Sequence, residues 1–115
     1  MVSTTTCIFC RIIAREAPGD IVHEDEHAVA FRDINPHAPV HILIVPRKHI
    51  ASLAHAAPED EALLGHLLLL GAEVARKEGL ERGYRVVINT NREAGQIVFH
   101  VHLHVLGGWP LRSMG

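Results

Sequence analysis

The most sustained run of hydrophobic positions lies between Leu63 and Ala75, where Leu63, Leu64, Leu67, Leu68, Gly71, Val74 and Ala75 keep a helical period. Pro58 opens the predicted helix, with Glu59, Asp60 and Glu61 in its first turn, where carboxylates complement the helix dipole. Gly79 ends it just after Arg76 and Lys77. Leu69 and Leu70 widen the apolar stripe beyond what one face needs. That surplus predicts a second buried surface and hence a homodimer, although a helix covered on both sides by its own sheet would account for it too.

Elsewhere the pattern reads as short strands. Ile21 to Glu24 and Ala28 to Arg32 flank the acidic turn Asp25-Glu26, a hairpin signal without the favoured glycine. Pro36 and Pro39 exclude helix from the Asp33–Pro39 loop, which delivers the chain into a strand from Val40 to Val45. A further strand spans Arg85 to Thr90. The polar loop from Asn91 to Gln96 separates it from a last strand that begins near Ile97 and ends at Gly107-Gly108. Ile8 to Ala14 forms one or two helical turns, broken by Ala17-Pro18-Gly19-Asp20. The expected fold is α+β, an antiparallel sheet of about five strands with one long and one short helix in a single domain over residues 1–115. The tail from Trp109 to Gly115 is expected to pack at the dimer interface.

The last strand carries the chemistry. In His100-Val101-His102-Leu103-His104, side chains that alternate across a strand put three imidazoles on one face, about 6.6 Å apart per pair of residues, and Val101, Leu103 and Val105 on the other. A purely structural strand would give such positions to threonine or aliphatics. Neutral imidazole is a nucleophile that can also carry a proton, which suits attack on phosphorus when its second nitrogen is held as a donor. His102, flanked by the other two, is the candidate nucleophile. A three-histidine catalytic metal site is the competing reading of the string alone.

Composition narrows the remainder. The 115 residues are 48% hydrophobic, enough for a core, and a net charge of −2 with dispersed Lys and Arg excludes a nucleic-acid stripe. The first six residues lack the basic and apolar segments of a secretion signal and no run approaches a membrane span, so a cytoplasmic location is expected. Cys7 and Cys10, the only cysteines, stand in C-x-x-C spacing. Together with two histidines they would complete a zinc shell; free buried thiols or a redox pair are the alternatives. The count of ten histidines is not itself informative, and His23, His27, His37, His55 and His66 are read as surface or helix-face residues.

The histidine string with the two apolar residues after it resembles the signature of the histidine triad family. The likeness extends to Asp33-Ile34, to His41 and the run through Pro46-Arg47-Lys48-His49, to Asn89, to Gly95-Gln96 and to Leu106-Gly107-Gly108. Across nearly all of the chain these resemble the Hint branch, the nucleoside phosphoramidate hydrolases. The resemblance implies that His102 attacks the α-phosphorus of a purine nucleoside 5'-phosphoramidate, giving a nucleotidyl-histidine that water cleaves to the monophosphate. His41, His100 and His104 would orient imidazoles, bind phosphate oxygens and relay the proton to the leaving amine. Asn89 and backbone N–H groups near Gly95 and Gln96 would hold the phosphate.

By the same resemblance Asp33 accepts from the ribose hydroxyls, and Ile8, Phe9, Ile12, Phe31 and Ile34 wall the base, with little discrimination between adenine and guanine. Alone, Asp33 reads equally as a turn residue and Asn89 as a strand end. Some bacterial members suggest Cys7, Cys10, His49 and His100 as ligands of a structural zinc. The chain departs from the pattern at Ile97, which stands where a hydroxyl residue usually bonds near the leaving group. A nucleotide-binding adaptor with negligible turnover, or a dinucleoside polyphosphate hydrolase, is therefore carried as an alternative.

Overall fold

In this computed structural model residues 6–111 are described. They form a short helix α1 (Ile8–Ile13), the strands β1 (Ile21–Glu24), β2 (Ala28–Arg32) and β3 (Val40–Pro46), a long helix α2 (Glu61–Lys77), and the strands β4 (Tyr84–Val87) and β5 (Leu103–Gly107). The five strands make one antiparallel sheet in the order β1-β2-β3-β5-β4. The α+β architecture expected from the hydrophobic pattern is the one observed. Among the described residues no helix is long and apolar enough to cross a membrane.

The hairpin between β1 and β2 forms without a glycine because Asp25 closes it. Its Oδ1 accepts from the backbone N–H groups of His27 (2.8 Å) and Ala28 (2.9 Å), while Oδ2 takes His23 Nε2 (3.0 Å) and His66 Nε2 (2.9 Å). Burial alone would raise this carboxyl; the hydrogen bonds outweigh it and hold Asp25 well below the usual carboxylate range. Because His66 lies on α2, this turn also ties the hairpin to the helix. His23 and His66 thus serve the fold, as their reading outside the chemistry implied.

The sheet has two covered faces. Ala28, Ala30, Ile42, Ile44, Leu103 and Val105 pack under Leu67, Leu70, Val74 and Ala75 of α2, forming the main core. On the opposite face Val29, Phe31, Leu43 and Val45 meet Phe9 and Ile12 of α1. Register makes this division: Leu43 is opposite His104 and His41 opposite Leu106, so these residues share the α1 face. Each fully buried aliphatic contributes about 1.5–3 kcal/mol, so α2 anchors the sheet from one side, and the α1 face carries polar rings beside its smaller core.

The start of α2 and the end of β4 differ from expectation. Pro58–Asp60 is a 3-10 turn, and the α-helix starts at Glu61. The Asp60 carboxylate is occupied by Ala57 N–H (2.9 Å) and Lys48 Nζ (2.6 Å), which fixes the turn in that form. At the far end Gly79, at φ +77°, lets Leu80 N–H reach back to Ala75 O (3.0 Å), as the glycine stop implied. β4 ends at Val87, short of Thr90.

The largest difference concerns the histidine strand, which begins at Leu103 and not near Ile97. Its ladder with β3 runs from Val40 opposite Gly107 to Ile44 opposite Leu103 and stops there. Continuing it would bring Pro46 into register, and proline has no N–H to give. His100, Val101 and His102 therefore lie outside regular pairing. Val101, Leu103 and Val105 are buried as expected, and all three imidazoles lie on the α1 side, where His100 meets Cys7 and Cys10 while His102 and His104 line a cavity.

The apolar surplus on α2 also resolves by residue. Leu70 belongs to the chain's own core, whereas Leu68 and Leu69 stay exposed, Leu69 at 74%. Trp109 is exposed; residues 112–115 of the tail lie outside the described residues.

Candidate functional site

On the α1 face of the sheet lies a cavity of about 1080 Å³ lined by α1, the 17–20 loop, β2, the Asp33–His37 loop, and His41, His102 and His104. Of the residues expected at the base, ribose and phosphate, Ile8, Phe9, Ile12, Phe31, Asp33, Ile34, Asn89, Gly95 and Ile97 all line it. Gln96 does not. Its amide is buried in the loop, where Oε1 accepts from Asn91 N–H (2.7 Å) and Nε2 donates to Ala51 O (2.8 Å) and Val98 O (3.0 Å). The backbone N–H groups of Gly95 and Gln96 are likewise engaged, to Arg92 O (3.0 Å) and Asn91 O (3.1 Å). The loop is therefore self-contained in this state, and neither of these N–H groups is free for a phosphate.

The protonation pattern of the histidines follows from groups with only one possible role. A carbonyl only accepts, so His102, whose Nδ1 lies 2.7 Å from His100 O, carries its proton on Nδ1 and a lone pair on Nε2. A backbone N–H only donates: His37 N gives to His41 Nδ1 (3.0 Å), which places the His41 proton on Nε2. That Nε2–H points to His104 Nδ1 (2.9 Å), with Asp33 Oδ2 farther off at 3.4 Å. His104 must then hold its proton on Nε2, and this buried N–H has no partner among the described residues. An unsatisfied buried donor costs about 1–3 kcal/mol, which an anionic ligand oxygen in the cavity would recover.

Burial keeps these rings neutral. His41 and His102 are pushed below the ordinary histidine value mainly by desolvation, with Asp33 opposing the shift in both. Desolvation, and then the neighbouring His102 and His41, bring His104 down to about 4. His102 and His104 lie ring to ring at 4.9 Å, and Phe9 meets His102 edge-on at 5.0 Å. The site thus places a neutral ring with an available lone pair, backed by an apolar edge, beside an unsatisfied N–H donor, a pairing that can present a lone pair and a proton donor to one bound group.

Asp33 fits its reading as a turn residue and also lines the cavity. Oδ1 caps the turn through Asn35 N–H (2.8 Å), while Oδ2 remains at the cavity. The 17–20 loop, read only as a helix breaker, supplies a wall. Gly19 is required there, because a Cβ would stand 2.8 Å from Ile12 Cγ2. The backbone of His37 was not legible as part of the site; nothing in the sequence distinguishes an N–H that orients a neighbouring ring.

His100 stands apart from His102 and His104. Its Nε2 donates to Pro46 O (2.8 Å), leaving the Nδ1 lone pair toward Cys7 Sγ (3.4 Å), Cys10 Sγ (3.5 Å) and His49 Nδ1 (3.1 Å). Cys10 Sγ is also 3.3 Å from His49 Nδ1. Burial, then Cys7, pushes the Cys10 thiol up to about 11, and burial brings His100 down to about 4. Two sulfurs and two ring nitrogens converging within 4.8 Å are the donor set and spacing of a tetrahedral zinc site. The orientation of the His100 lone pair by Pro46 is what such a ligand needs. His100 thus belongs to this cluster and not to the cavity wall.

The HIT domain family profile matches residues 14–111, and the chain belongs to this family. An uncharacterized HIT-like protein of Synechococcus elongatus is 55% identical over 107 residues, covering 90% of this chain and 94% of that one. Among solved structures, a HIT family hydrolase from Legionella pneumophila is 46% identical, with a TM-score of 0.91 over 93% of this chain and 96% of that chain. A zinc-bound histidine triad family protein from Mycobacterium smegmatis is 35% identical, with a TM-score of 0.78 over 90% and 76% of the two chains. A histidine triad nucleotide-binding protein from Candida albicans is 32% identical, with a TM-score of 0.80 over 96% and 87%.

A lowered histidine pKa means that the neutral ring is favoured in the fold, so the stability it supports is present above about 6.5 and is lost as pH falls through the folded value. His104 is therefore expected to stay neutral at pH 5 in ¹⁵N imidazole NMR, with its proton on Nε2. Titration of its signal near pH 6.5 would contradict the burial described here.

Proposed function

We propose that this protein hydrolyses purine nucleoside 5'-phosphoramidates through a covalent nucleotidyl-His102 intermediate. The observation that carries the reading is the pair of opposite tautomers: a lone pair on His102 Nε2 beside an unpartnered N–H on His104. The Legionella hydrolase supports the class of reaction, and the Candida nucleotide-binding protein the class of ligand.

In the proposed first step His102 Nε2 forms a bond to the α-phosphorus and the phosphorus–nitrogen bond to the leaving amine breaks. His100 O stabilises the charge that develops on the imidazole through Nδ1–H. The His104 Nε2–H binds a phosphoryl oxygen, the His41 Nε2–H, with Asp33 beside it, keeps His104 in that tautomer, and the leaving amine takes its proton from water. Water then attacks the same phosphorus and frees His102. Asp33 Oδ2 faces the ribose, and the base lies among Ile8, Phe9, Ile12, Phe31 and Ile34. Ile34 lines the cavity with 89% of its surface exposed, so it has apolar area to lose to a base. Asn89 is the remaining polar side chain for the phosphate, since Gly95 and Gln96 spend their N–H groups within their loop.

One observation favours the adaptor reading. Ile97, at the cavity and 87% exposed, offers no donor to a leaving group. Rapid quench with an adenosine phosphoramidate followed by intact-mass measurement separates the two. The wild-type protein is expected to show a nucleotidyl adduct, and His102→Ala none, with turnover down about 10³-fold or more. Amine release no faster than the buffer blank would favour the adaptor.

Two further parts of the proposal are structural. Cys7, Cys10, His49 and His100 hold a structural zinc, which when bound would join the start of α1 to the turn after β3. Elemental analysis is expected to give about one zinc per chain, lost in Cys10→Ser. A homodimer is proposed to cover Leu68, Leu69 and the edge strand β4, where Tyr84 is exposed. Light scattering should read twice the chain mass of 12.7 kDa, and a monomer would refute the pairing.

A further inference from the structure

His100 occupies a place in the chain that neither the sheet nor the cavity explains. The β3–β5 ladder ends at Ile44 and Leu103, so the backbone at His100, Val101 and His102 has no strand partner to fix it. Its attachments are few: Val101 N–H gives to Ile50 O (2.6 Å) and the His100 ring gives to Pro46 O (2.8 Å). The other side of the same ring enters the sulfur and nitrogen cluster of Cys7, Cys10 and His49. Yet the carbonyl of this residue is the group that fixes the His102 tautomer, at 2.7 Å.

A second link runs through α1. Phe9 lies between the two cysteines in sequence, and its ring meets His100 at 6.0 Å and His102 at 5.0 Å, edge-on in both cases. The helix is only six residues long, and its N-cap is Cys7 itself, whose sulfur accepts from Cys10 N–H (3.4 Å). Helices this short do not stand on propensity; they persist through what holds them. The cluster therefore holds both the His100 carbonyl and the Phe9 ring that meet His102.

We propose that His100 is a positioning residue, and that the Cys7–Cys10–His49–His100 cluster sets the orientation and tautomer of His102 rather than merely stabilising the amino-terminal end of the fold. With the cluster intact, the His100 carbonyl stays aimed at His102 Nδ1 and the nucleophilic lone pair faces the cavity. With the cluster undone, the His100 ring keeps only Pro46 O, the 98–102 segment is free to shift, and His102 can carry its proton on either nitrogen. Metal occupancy then governs the fraction of competent nucleophile without touching substrate. This rests on His102 being the attacking group, but its tautomer and AMP binding can be read without any turnover.

The test strips metal from the wild-type protein with 1,10-phenanthroline and compares it with His49→Gln, which alters the exposed ligand and leaves α1 untouched. Metal content is checked by elemental analysis and fold by circular dichroism. The ¹⁵N shifts of the His102 ring are expected to move from a pure Nδ1–H form to a mixture, and to return when one equivalent of zinc is restored. Nucleotidyl-adduct formation should fall about 10–100-fold, the range for residues that orient a reacting group, while AMP affinity changes by less than about threefold. An unchanged His102 tautomer in protein shown to be metal-free and folded would overturn the proposal. So would unfolding on chelation, which would make the cluster a staple for the fold alone. An absence of turnover in the zinc-loaded protein, with the tautomer shift still present, would instead count against the phosphoramidase reading and leave the positioning role standing.

Discussion

The hydrogen bond from His102 Nδ1 to the backbone carbonyl of His100 decides what the rest of the site can do. Free imidazole exchanges its proton between two nitrogens, and only one of them faces the cavity. A carbonyl acceptor removes that choice without placing a charge beside the nucleophile. The neighbouring His104 is set in the opposite sense by a chain that starts at the N–H of His37 and passes through His41. One ring thus presents a lone pair and the other a proton, although both are histidines in one five-residue string.

This division depends on the sheet having two different faces. α2 covers one with aliphatic residues, so the opposite face can hold polar rings over Leu43, Val87 and Leu106 without losing the core. Interrupting the ladder at Pro46 is part of the same design. All three rings stay on the α1 side of the sheet, with Phe9 against both His100 and His102. Ending it at Leu103 sends His100 to the cysteine cluster and leaves His102 and His104 for the cavity.

Much of this was legible in the chain, because periodicity and ligand spacing are local. The α2 stripe, the hairpin around Asp25, β3 and the antiparallel sheet follow from hydrophobic pattern and turn chemistry. The residues that converge in the cavity and the cysteine cluster were named from the string, the C-x-x-C spacing and the family resemblance. What escaped is set by tertiary register. The start of β5 depends on a proline 57 positions earlier, as Leu103 and Pro46 are numbered. Gln96 looks like a ligand contact in sequence, but its amide finds three backbone partners, Asn91 and Val98 near its own loop and Ala51 after β3. The exposure of Leu69 and the burial of Leu70 could not be separated by a stripe that contains both.

The central claim is that the Nε2 of one particular ring becomes bonded to phosphorus. It is tested most directly by ³¹P NMR of the quenched intermediate made with ¹⁵N-histidine protein and an adenosine phosphoramidate. The account predicts a one-bond ¹⁵N–³¹P coupling to Nε2 of His102. A coupling to its Nδ1, or to any other histidine, would contradict it.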